Sequence, residues 1–106
     1  MPNTKLIYGI LALFDKYLDY DEPDWDELSA SHFKVSERRF IAIMLMLLEA
    51  GYIDGIEPID LGGGRYDIKL MSPRITLKGL EYLENNDSMH KMYRLLKGIK
   101  DITPGV

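Results

Sequence analysis

Cysteine is absent from the 106-residue chain. That removes disulfides, thiol catalysis and cysteine-ligated metal at once, and it accords with a reducing compartment, so the expected location is cytoplasmic. Histidine is nearly absent too. His32 and His90 fall on different helices of the reading below, with neither the His-x3-His nor the His-Glu-x2-His spacing of a zinc site. Long apolar runs are lacking: none approaches the roughly 20 residues that a membrane span needs. The run from Leu6 to Phe14 stops at Asp15 and Lys16, keeps helical spacing to Tyr17 and Leu18, and has no small-residue cleavage site behind it. It therefore reads as a helix and not as a signal peptide. Internal repeats, low-complexity segments and long linkers are also missing, and the length suits one hydrophobic core, so residues 1–106 are read as a single domain.

What is present is the composition of an ordinary folded protein, 46% hydrophobic and 28% charged. The net charge of −4 argues against a general nucleic-acid binder, which carries a basic excess. The charge is polarised along the chain. Residues 15–27 hold seven acids (Asp15, Asp19, Asp21, Glu22, Asp24, Asp26, Glu27) against Lys16 alone, whereas residues 65–100 hold eight bases against four acids. A local basic face is compatible with that arrangement.

Apolar periodicity supplies the elements. Leu6, Ile10, Leu13, Phe14 and Tyr17 recur at helical spacing and predict a first helix over 4–18, capped by Asn3 or Thr4, with Gly9 marking a close helix approach. Asp24, with Glu27 three residues later, predicts a capping box at the start of a short second helix that buries Trp25, Leu28 and Phe33. Ser36 predicts the cap of a third helix running to about Ala50, and Gly51 stands where a left-handed terminal residue is wanted. Two helices separated by a few residues form a helix-turn-helix arrangement. Residues 52–59 then alternate as a strand, in which Pro58 marks an edge or an end. Gly62-Gly63-Gly64 reads as a hairpin tip and residues 65–70 as the returning strand, with Met71-Ser72-Pro73-Arg74 as a lead into the next helix. The three glycines are no phosphate loop, for no Gly-Lys-Ser/Thr follows them. Thr76 caps a fourth helix to about Asn85, with Leu77, Leu80, Tyr82 and Leu83 as its apolar positions. A fifth helix is expected over 88–99, where Met89, Met92, Tyr93, Leu96 and Ile99 recur, followed by a frayed tail. The class is α+β: three N-terminal helices, a β-hairpin wing and two C-terminal helices, the order of a winged helix-turn-helix.

Two segments carry a more specific likeness. Leu47-Leu48-Glu49-Ala50-Gly51-Tyr52-Ile53 resembles the passage from third helix to wing in winged-helix repressors, and Ile75-Thr76-Leu77-Lys78-Gly79-Leu80-Glu81-Tyr82-Leu83 resembles the segment behind their wing. With the early acidic turn and the Met-Tyr-Leu-Leu-Lys helix near the end, nearly the whole chain resembles the YjcQ-like family of small winged-helix proteins from Gram-positive bacteria and their phages. The resemblance implies a fold and brings no activity with it.

No catalytic constellation emerges, so the chain is expected not to be an enzyme, and no metal or cofactor is expected. The acids of 19–26 lack the spacing, glycine and terminal glutamate of a calcium loop. Ser36 and Ser88 are accounted for as helix caps. Two roles are left. In the first the chain is a DNA-binding regulator that reads duplex DNA through Arg38 and Arg39 at the start of the third helix. Arg65 and Lys69 of the wing, with Arg74 and Lys78 bracketing the next helix start, would add contacts. In the second it is a protein-interaction module that docks a second copy or another protein. Its surface would be the outward face of the third helix, Leu45 and Met46, or the last helix with Met92 and Leu96. That outward face also holds Arg38, Ala42 and Glu49, opposite the core stripe Phe40, Ile43, Met44 and Leu47, and it is unusually apolar for a helix that reads bases.

Overall fold

A computed structural model describes residues 2–86. The expected fifth helix, with Met92 and Leu96, and the residues His90, Lys91, Arg94, Lys97 and Lys100 lie outside the described residues.

Helix α1 spans Asn3–Tyr17 and buries the predicted stripe: Leu6, Ile10, Leu13, Phe14 and Tyr17, joined by Leu11. Its cap corrects the sequence reading. Pro2, extended at φ −60° and ψ 148°, precedes the helix, and no side chain caps it. The Pro2 carbonyl accepts the Leu6 amide at 3.1 Å. Asn3 lies inside the first turn, and its Oδ1 accepts from Arg39 Nη1 at 2.6 Å, so it holds a neighbouring helix and not its own end.

The predicted second helix is two pieces. Asp24 Oδ1 accepts from the Asp26 amide at 3.1 Å, which makes a local turn and not the reciprocal box with Glu27, and a 3-10 turn follows at Trp25–Glu27. Ser29 Oγ then accepts from the His32 amide at 3.2 Å and starts α2, Ala30–Phe33. Short polar side chains that bond nearby amides compete with continuous helix, and two of them within six residues divide the segment. Lys34, left-handed at φ 57°, ends α2. Three residues later α3 opens.

Helix α3, Glu37–Glu49, begins at Ser36, whose Oγ accepts from the Arg39 amide at 3.1 Å. It ends at Gly51 as expected (φ 81°). The Gly51 amide donates to the Leu48 carbonyl at 3.1 Å and the Tyr52 amide to Leu47 at 3.0 Å, the paired reverse bonds that satisfy a helix's last carbonyls.

Strands β1, Ile53–Gly62, and β2, Arg65–Ile75, form an antiparallel hairpin longer than expected. Gly63 and Gly64 turn the chain at φ 61° and 76°, the two positive values that a tight two-residue hairpin needs. Residues 71–74, expected as a loop, belong to β2. They form a bulge: Asp54 faces Arg74 and Ile56 faces Leu70, so Gly55 alone opposes Met71, Ser72 and Pro73. The bulge rests on Gly55, which takes φ 80° and has no room for a side chain, because a Cβ there would lie 1.9 Å from the Ser72 carbonyl oxygen. Helix α4, Leu77–Glu84, is capped by Thr76, whose Oγ1 accepts from the Gly79 amide at 3.1 Å and donates to the Gly51 carbonyl at 2.6 Å. Leu77, expected on its buried side, is 85% exposed, because the first position of the helix faces away from the core. Gly79 brings α4 against the chain at Tyr52, whose carbonyl oxygen would stand 2.4 Å from a Cβ.

One core joins these elements. Phe14, Phe33, Met44 and Ile53 are almost fully buried, and Phe33 and Phe40 stack at 6.2 Å between α2 and α3. Trp25 packs edge-on against Phe14 and Tyr17 at 5.4 and 5.0 Å. The hairpin enters this core at its base through Ile53, Ile56 and Ile75, and Ile68, farther along β2, is half-buried and packs against it.

Candidate interaction surface

Of the six bases that the sequence proposed for DNA, Arg39, Arg74 and Lys78 are engaged within the chain. Arg38 is exposed on the first turn of α3. Arg39 is bonded to Asn3 across the starts of α3 and α1. Arg74 Nε pairs with Asp54 Oδ1 at 2.6 Å across the bulge, and that carboxylate pushes the guanidinium pKa up. Lys78 Nζ donates to the Ala50 carbonyl at 3.0 Å and lies 5.2 Å from the centre of the Tyr52 ring. It thus supplies positive charge where the carbonyls of α3 end, a role of structure.

Arg65 and Lys69 are exposed on β2, with acids interleaved. Alternation puts Arg65, Asp67 and Lys69 on one face of that strand, and Lys69 stands opposite Glu57 in the register. Asp54 and Asp60 add to the acids of β1. A hairpin of this charge pattern offers no continuous positive track for phosphates.

The outward face of α3 is divided as well. Met46 is 58% exposed, but Leu45, expected beside it on an open surface, is half-buried and packs against the core. Leu45 thus leans on the core while Met46 faces outward, so the two expected patch residues differ in exposure.

The larger apolar surface is on the hairpin. Ile59, Leu61, Tyr66, Leu70 and Met71 are exposed, Leu61 and Met71 by more than half. From Glu57 on β1 and back to Lys69 on β2, every described residue is exposed except Ile68, which is half-buried. The distal hairpin is therefore an arm that carries large apolar side chains away from the core. Two surface hollows lie elsewhere, one between Pro2, Asn3 and residues 34–39 and one beside Tyr52, Lys78 and Tyr82. Burial pushes the pKa of Tyr82, beside the second hollow, up. Among the described residues no helix is long and apolar enough to cross a membrane, and no group of three His, Asp or Glu side chains could hold a metal ion.

The model of the YjcQ protein family matches residues 8–102. The chain belongs to the YjcQ family. It is 34% identical over 101 residues to the uncharacterized protein YjcQ of Bacillus subtilis (strain 168), an overlap of 95% of this chain and 97% of that protein. No solved structure matches. In this YjcQ family member the exposed arm is what residue-by-residue reading missed. Its signal was present in the even spacing of Ile59, Leu61, Tyr66, Ile68 and Leu70, but Ser72-Pro73 reads locally as a break, and taking the strand to end there made the hairpin too short to leave the core.

Proposed function

We propose that this YjcQ family member is a winged-helix protein-interaction module, without catalytic activity of its own, whose hairpin wing is the contact arm. The order of α1, α2, α3, hairpin and α4 supports the winged-helix reading, with α2 and α3 as its helix-turn-helix pair. The observation that carries the functional reading is the set of exposed large apolar side chains on the arm. Tyr66 and Leu70 flank Ile68 on one face of β2, whereas Ile59 shares the other face with Asp67, and large exposed apolar side chains among polar neighbours are a feature of protein contact sites. A fold does not confer its commonest activity, and the chemistry of the arm suits protein better than phosphate.

A DNA-binding regulator is the competing role, and Arg38, Arg65 and Lys69 are the side chains on which it would depend. The two roles separate in a titration of labelled duplex DNA with the full chain at low salt, read by fluorescence anisotropy. A protein-interaction module leaves the anisotropy unchanged. Binding that falls steeply with added salt, as phosphate contacts demand, and that is lost in Arg38→Glu would overturn the proposal in favour of DNA.

A further inference from the structure

We infer that the arm pairs two copies of this chain edge to edge along β2, antiparallel, with Ile68 opposite Ile68 of the second copy. The inference rests on the interaction-module reading and names its partner.

Both edges of a two-stranded ribbon present backbone amides and carbonyls that can template another strand. They are not equivalent here. The β1 edge carries Pro58, which has no amide, between Glu57 and two further acidic or apolar positions ending at Asp60. β1 carries no base, so a second β1 laid along it gains no opposite-charge pair. The β2 edge from Arg65 to Met71 has no proline and alternates in charge: Arg65, Asp67, Lys69. No other strand among the described residues lies beside it.

The Ile68 amide donates to the Asp67 side chain at 2.8 Å, and the residue opposite it on β1 is Pro58. Both facts place that amide on the outer edge, where a local carboxylate holds it in the isolated chain. Centring a two-fold pairing on Ile68 then fixes every other pair. Asp67 meets Lys69 of the second copy, and Lys69 meets its Asp67. Tyr66 meets Leu70 of the second copy on the apolar face, and Leu70 meets its Tyr66. Opposite charges and aromatic–aliphatic pairs across strands are the favourable kinds. Shifting the centre to Asp67 would set Arg65 against Lys69, two like charges. Shifting it to Tyr66 would keep an opposite pair, Arg65 with Asp67, but would leave Ile68, Lys69 and Leu70 opposite the glycines of the tip, so charge and side-chain pairing together select the register. A two-fold contact of this kind is self-complementary and closes, leaving no unpaired β2 edge to propagate a fibre. The segment is short, and the dimer is accordingly a reversible one, at the small end of specific interfaces.

The test is sedimentation of the full chain across a range of concentrations, with charge reversals on the exposed side chains of β2. The native chain is expected to pass from monomer to dimer as concentration rises. Asp67→Lys and Lys69→Asp, each of which sets like charges opposite in both symmetry-related pairs, are each expected to weaken the dimer on the order of tenfold. The double variant carrying both reversals is expected to recover most of that loss, while circular dichroism confirms that all three variants remain folded. A chain that stays monomeric at the highest concentrations reached, or a dimer indifferent to both single reversals, would overturn the edge pairing. Salt-sensitive binding of duplex DNA would instead overturn the module reading, so the two failures are told apart.

Discussion

Gly55 and Gly63 both adopt positive φ, yet they should respond differently to the same change. At Gly63 a Cβ meets nothing within 4 Å, so Gly63→Ala bears only the left-handed backbone cost of about 1 kcal/mol. At Gly55 the same methyl would stand 1.9 Å from a backbone oxygen of Ser72, and the bulge must open to admit it. Gly55→Ala is expected to cost about 3 kcal/mol or more, as large losses follow strain at a special backbone position. Chemical denaturation of the two variants compares them directly, and equal losses would remove the bulge from its structural role. Tyr17 gives a second residue-scale prediction. Its hydroxyl donates to the Asp24 carbonyl at 2.8 Å. Burial, reinforced by the carboxylates of Glu27 and Asp24, pushes its pKa up from 10.0 to about 12. The folded chain therefore holds this proton where the unfolded chain releases it. Tyr17 contributes stability that is full below pH 10 and is lost as pH climbs towards 12. A phenolate absorbance titration should show that Tyr17→Phe removes a tyrosine that ionises late in the native chain.

Elements with a strong local signal were legible in the sequence. Ser36, Gly51 and Thr76 each act through a bond to a nearby backbone group, so the limits of α3 and α4 can be read from a few residues. Ser36→Ala should accordingly cost about 1 kcal/mol in thermal or chemical unfolding. The segment between α1 and α3 was less legible, because Asp24 and Ser29 can each cap a helix and only the packing of Trp25 on Phe14 and Tyr17 decides that both act. The length of β2 was hidden for a related reason: Ser72-Pro73 reads as a break, and Gly55, distant in sequence, makes room for it. Gly79 illustrates the opposite case. Its helical setting hints at a close approach, and the Tyr52 carbonyl stands where its Cβ would be. Gly79→Ala should push α4 away from Tyr52 and lower stability despite alanine's better helix propensity. A rise in stability on that change would show that α4 does not need the contact.

At the scale of the molecule, long-range pairing decides which charges are engaged. Arg39, Arg74 and Lys78 looked available in the sequence because their partners, Asn3, Asp54 and the Ala50 carbonyl, lie 36, 20 and 28 residues away. Linear reading does not see such pairs. The same folding that engages these bases sends outward a hairpin with exposed apolar side chains beside Arg65 and Lys69. The most direct measurement is amide NMR of the full chain at low salt, first over a range of protein concentrations and then with duplex DNA added. A protein-contact arm predicts concentration-dependent shifts confined to the β2 edge from Arg65 to Met71 and no response to DNA at Arg38 or Arg39. Shifts at Arg38, Arg65 and Lys69 that appear only with DNA and vanish with salt, on an arm indifferent to protein concentration, would contradict it.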